Sequence, residues 1–151
     1  MLLATAVGCD PPLSSHSPLS AHERQFTSQL IARPIGQTFT LRSVTDFAWD
    51  SVWVFGPYAG ADIVGAAVGA RVDVAHGNSD YESMDTSHLD LLVFKRDKFV
   101  VAAFEINPLE VDLQQIARCR FLPSDPFVKR KAPDGRVVLV SGPGSSDDRC
   151  R

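Results

Sequence analysis

The chain has 151 residues, of which 44% are hydrophobic, and a formal net charge of −3. That length suits one domain with tails, enough to bury a core of its own. Acids and bases are interspersed, which gives neither the basic footprint of a nucleic-acid binder nor an acidic tail. No apolar run approaches the ~20 residues a membrane-spanning helix needs.

The chain opens Met1-Leu-Leu-Ala-Thr-Ala-Val-Gly-Cys9-Asp10. A short apolar run ends in small residues directly before a cysteine. This resembles the end of a bacterial lipoprotein signal, in which a small residue precedes the Cys that is acylated, with palmitate among its acyl chains. The resemblance implies lipidation of Cys9, a membrane anchor, and a cell-envelope location; Asp10 next to it resembles an inner-membrane retention signal. Ala6 stands where Leu is usual, and no basic segment precedes the apolar run; a start codon placed too far downstream would account for the latter. Ala4-Thr5-Ala6 alternatively forms an Ala-x-Ala site for simple secretion, and an ordinary cytosolic N-terminus is the third reading. Residues 1–9 are thus expected to be a signal remnant, 10–19 a Pro/Ser-rich tether, 20–141 a single domain and 142–151 a flexible tail.

Ser20-Ala-His-Glu23 is a capping box that opens a helix over 21–32, with Phe26 and Leu30 on its buried face. Pro34 and Gly36 end it. Residues 37–43 alternate as a half-buried strand. Residues 50–55 are apolar on both faces, Val52 and Val54 against Trp53 and Phe55, which predicts a central strand. Gly56-Pro57 stops it. Residues 61–70 read as a helix whose Gly65 and Gly69 suit close packing on a sheet, and 75–87 as a polar surface loop. A hairpin follows, 88–94 and 99–106 joined through Lys95-Arg-Asp-Lys98. A short helix over 111–119 and a second hairpin, 127–131 and 136–141 around Ala132-Pro-Asp-Gly135, complete the body. The expected class is α+β: an antiparallel sheet of about five to six strands built from hairpins, with helices packed on one face.

Candidate chemistry is sparse. Asp46 and Asp50 flank the aromatic stretch and could act as a carboxylate pair, although turn or capping roles fit either. His76, Asp80, Glu82, Asp85 and His88 are a ligand-rich loop without the spacing of a zinc or calcium site, so no metal is expected. No nucleophile elbow, dinucleotide loop or P-loop pattern is present, and no cofactor is expected. If Cys9 carries lipid, Cys119 and Cys150 remain as a pair that could form a disulfide in an oxidising compartment; two free thiols is the other reading. Trp53 and Phe55 suit the core, whereas Trp49, Asp50, Pro57 and Tyr58, at the strand's ends, are candidates for an interaction surface.

Trp49-Asp50-Ser-Val-Trp-Val-Phe-Gly-Pro57-Tyr58 resembles a Trp-Asp-x-Val-x-Val-Phe-x-Pro-Tyr motif of small bacterial lipoprotein-like proteins. That resemblance implies an envelope location and carries no reaction, cofactor or catalytic residue. The reading is therefore an anchored binding module with a membrane, through its lipid, and an envelope protein as partners, and no nucleic acid. The alternative is a small hydrolase using Asp46 and Asp50 or the His76–His88 loop.

Overall fold

The computed structural model describes residues 21–57, 59–70, 72, 89–117 and 119–143. Helix α1 (Ala21–Ala32) buries Phe26 and Leu30, one turn apart on the same face. Its last turn carries no basic residue. Instead Lys129 Nζ donates to the carbonyls of Leu30, Ile31 and Arg33 at 3.2, 2.7 and 2.8 Å. These lie at the end of the helix, where carbonyls lack the amide four residues on; Leu30 also accepts from the Arg33 amide at 3.4 Å.

Gly36, at φ 85°, turns the chain into β1 (Thr38–Thr40). The expected strand stops early because residues Leu41–Val44 wind into a 3-10 turn. Ser43 Oγ donates to the Thr40 carbonyl at 2.7 Å, a local bond that competes with the extended ladder.

The remaining strands are β2 (Ser51–Phe55), β3 (Asp90–Arg96), β4 (Phe99–Ile106), β5 (Arg120–Phe121), β6 (Pro126–Lys131) and β7 (Val137–Ser141). The class is α+β with antiparallel pairing, but the strands divide between two sheets, ordered β1-β6-β7 and β4-β3-β2-β5. β2 lies between β3 and β5, as its two apolar faces require. Val52 and Val54 join Phe26, Leu30, Phe94 and Phe104 on one face. Phe55, Leu91 and Val93 meet helix α2 (Ala61–Val68) through Val64 and Val68 on the other. The two helices thus cover opposite faces of the four-stranded sheet, not one face. The first cluster also takes in Phe39, Phe127 and Leu139 of the other sheet, so both sheets share it.

The β3–β4 connection tightens to the two residues Asp97 and Lys98, with Arg96 opposite Phe99. Phe94 faces Ala102 but Lys95 faces Val100, which leaves Val101 as a bulge. The β6–β7 turn forms at 132–135 as expected: Gly135 takes φ 89°, and the Ala132 amide donates to the Arg136 carbonyl at 2.8 Å.

The helix expected over 111–119 is replaced by a 3-10 turn, Gln114–Ile116, followed by β5. Two bonds to β7 and one to β3 hold this segment. The Asp112 amide donates to Val137 and the Leu139 amide to Asp112, at 2.8 and 2.9 Å. The Leu113 amide donates to Asp90 Oδ2 at 2.8 Å. The Asp112 and Leu113 amides would lack an intrahelical acceptor in a first turn, so the competing bond is that of the Asp112 carbonyl, which accepts from Leu139 while the Ile116 amide goes to Leu113. Among the described residues no helix is long and apolar enough to cross a membrane.

Candidate binding groove

Helix α2 ends at Gly69, whose φ of 68° is the left-handed cap that glycine adopts without penalty, and whose amide donates to the Gly65 carbonyl at 2.9 Å. A Cβ on Gly65 would meet only the Ala70 carbonyl, at an ordinary 3.5 Å. Termination at Gly69, not close sheet packing, is therefore what the glycines supply. The end of α2 stops short of covering the sheet. It leaves a groove of about 580 Å³ between α2 and the strands β2, β3 and β5.

Strand alternation puts Ser51 and Trp53 of β2 on the α2 side, with Phe55. Trp53 is only half-buried and lines the groove, with Arg120 directly opposite it on β5. Lys95 lies opposite Ser51 on β3, and its Nζ donates to the Val68 carbonyl at 2.6 Å, capping α2. Asp97, in the hairpin turn, has φ 55°, a left-handed conformation in which aspartate is among the better-tolerated residues. Its amide donates to Asp50 Oδ2 at 2.5 Å, and Ser51 Oγ donates to Asp50 Oδ1 at 3.1 Å. The Asp97 amide is the main reason why Asp50 is held below the ordinary carboxylate range; desolvation opposes it, and the Ser51 hydroxyl and the charges of Arg120 and Lys95 act with the amide.

Of the expected surface residues, Asp50 is exposed and in the groove. Pro57 is half-buried, and Tyr58 lies outside the described residues. Trp49 is corrected to a core residue: it is 5% exposed, packs edge-on against Phe94 and donates from Nε1 to Thr45 Oγ1 at 2.9 Å. Trp53, expected in the core, is the aromatic that meets the groove. Lys95, Asp97 and Arg120 had no signal beyond a charged turn and the arginines on either side of Cys119. Ser51, the one polar residue of β2, is itself buried and bonded to Asp50, so it did not mark the open face.

Asp46 and Asp50 take different partners. His22 Nδ1 lies 2.8 Å from both oxygens of Asp46, on the opposite flank of the strand from the Asp97 contact. The His76–His88 loop, Cys9 and Cys150 lie outside the described residues. Cys119 is buried and disulfide-bonded, its partner likewise outside them. Among the described residues no three His, Cys, Asp or Glu side chains are grouped to hold a metal.

One further acid is buried away from the groove. Asp90 is fully buried; Oδ2 accepts from Leu113, and Oδ1 has no hydrogen-bond partner. Burial, reinforced by the Asp112 charge and opposed by the Leu113 bond, pushes its pKa up to about 6. Asp112 itself is ion-paired with Arg136.

No protein-family model matches the chain, and neither a curated protein nor a solved structure matches it.

Proposed function

We propose that this chain is a membrane-anchored lipoprotein of a bacterial cell envelope whose folded body is a binding module, with the Trp53 groove as its recognition surface. The groove carries this reading. It is an open groove of about 580 Å³ in which charged side chains surround the Trp53 ring. Its polar groups are fixed in place: Asp50 by the Asp97 amide, Lys95 by the end of α2. A carboxylate held well ionised suits charge recognition better than proton transfer near neutral pH.

The anchor rests on the Leu-Leu-Ala-Thr-Ala-Val-Gly-Cys9 sequence. The disulfide at Cys119 supports an oxidising compartment. The chain has three cysteines, so within it Cys119 can pair only with Cys9 or Cys150. Mass spectrometry of the protein from its host tests the anchor directly. An acylated Cys9 and a Cys119–Cys150 linked peptide are expected. A Cys9–Cys119 link, or an unmodified Cys9 thiol, would overturn lipidation. For the groove, Trp53→Ala and Arg120→Ala should each lose material captured from an envelope extract; retention of every captured component by both variants would make the groove structural only.

A further inference from the structure

We infer that the groove takes a short zwitterionic peptide of two or three residues, its free amino end toward Asp97 and Asp50 and its free carboxylate on Arg120; this rests on the groove being the recognition surface. The charges of the groove balance, two acids against two bases: Asp50 and Asp97, Lys95 and Arg120. A ligand of large net charge gains little there. The balance is also spatially divided. Asp50 precedes β2 and is joined to Asp97 in the β3–β4 turn, whereas Arg120 stands on β5, on the other side of β2. The acidic pair and Arg120 therefore flank β2 from its two sides, with the Arg120 charge still reaching Asp50.

Two of the four charges are already committed within the protein. Asp50 accepts from Asp97 and Ser51, and Lys95 donates to the end of α2. Asp97's carboxylate and Arg120's guanidinium make no hydrogen bond or ion pair among the described residues, and they are opposite in sign. The C-terminal end of α2, whose Ala66 and Ala67 line the groove, already holds the Lys95 ammonium on its Val68 carbonyl. A helix C-terminus carries partial negative charge and favours an ammonium. Arg120 presents the planar donor fork that matches a carboxylate in a bidentate pair. Trp53 lies beside Arg120, with Leu122 nearby, and offers apolar surface between it and the acidic pair.

Span fixes the length. Asp50 lies one residue before β2 and Trp53 is the third residue within it, which would put their backbones roughly 10 Å apart at ~3.3 Å per residue if the step from Asp50 is extended. An extended peptide covers that distance with about three residues. A single amino acid, whose charges share one carbon, bridges less of it.

Titration calorimetry and amide NMR of the intact domain with L-Ala-L-Ala-L-Ala test the assignment. Binding is expected to move the Asp97 amide and the Trp53 indole resonances, and to weaken about tenfold or more when the peptide is N-acetylated or C-amidated. Arg120→Gln should erase the preference for the free carboxylate while leaving that for the free amine. Asp97→Asn, which keeps a side chain tolerant of the left-handed turn, should do the reverse. Equal affinity for blocked and unblocked peptides overturns the assignment, as does the absence of any shift at millimolar peptide. In the latter case an envelope extract is added. Arg120-dependent shifts from the extract would leave the binding module standing with a different ligand, and no shift from either would remove both.

Discussion

Two buried polar side chains set the energetics at the scale of single residues. Asp90 keeps one carboxyl oxygen bonded to Leu113 and the other unpartnered. Folded, it gives up its proton at about 6, against 3.8 as the ordinary value. Because the folded value is raised, its contribution to stability is fully present below the unfolded pKa and is lost as pH rises through the folded one. At neutral pH the loss reaches roughly 3 kcal/mol. Urea unfolding at pH 4 and pH 7 should show this loss in the wild type relative to Asp90→Asn; parallel pH profiles for the two proteins would refute it. Lys129 is the opposite case, a buried ammonium with its donors used. Burial lowers its pKa, and its bonds to Leu30, Ile31 and Arg33 close the end of α1. Lys129→Met strands those carbonyls and should cost about 2–4 kcal/mol, read as a lower urea midpoint at unchanged m-value. Neither role was legible in sequence. Asp90 read as the edge of an apolar strand and Lys129 as a hairpin charge, because each depends on a partner far along the chain.

At the scale of elements, what was legible is what depends on neighbours in sequence. The bounds of α1 and β4 match apolar spacing and the charged turn at residues 97–98, all local; the capping Ser20 lies outside the described residues, and Glu23 accepts from the Glu105 amide at 3.0 Å. The 132–135 turn likewise follows from Pro133, Asp134 and a left-handed Gly135. The supposed helix before Cys119 failed because the Asp112 carbonyl bonds to Leu139 of β7, a contact no window of sequence reveals. Trp49 and Trp53 exchanged expectations for a related reason. Their burial depends on Phe94 and on where α2 ends, and neither is encoded beside them. The boundary after β7 was also displaced. Gly142, assigned to the flexible tail, is buried, and its amide donates to the Pro126 carbonyl at 2.7 Å. A Cβ there would lie 2.9 Å from Pro126 Cβ and 3.2 Å from its carbonyl carbon, too close to a rigid ring and backbone to be relieved without movement. Gly142→Ala should destabilise by about 1–3 kcal/mol in thermal or urea unfolding. A neutral substitution would mean that β7 can slide away from β6 without loss.

For the whole molecule, the decisive contact is between sheets. Phe121 of the four-stranded sheet meets Phe127 of the three-stranded one edge-on, with centroids 4.8 Å apart and both rings buried. The shared core predicts one cooperative transition for the described body. Phe127→Ala should lower stability by about 3–5 kcal/mol while far-UV circular dichroism and Trp53 fluorescence still report a single midpoint. Separate midpoints would mean that the sheets unfold independently. The class of the fold was readable because hairpins announce themselves in local pattern; the division into two sheets was not, since β1 pairs with β6 across most of the chain, Thr38 opposite Val128. The clasp of Lys129 on α1 follows the same path. A ribosome must deliver residue 129 before the first helix can be locked and before β1 has a partner. α1 can meet Phe94 and Phe104 earlier, but β1 and the end of α1 wait for β6, and ordering them carries the slow loop-closure step of long-range contacts.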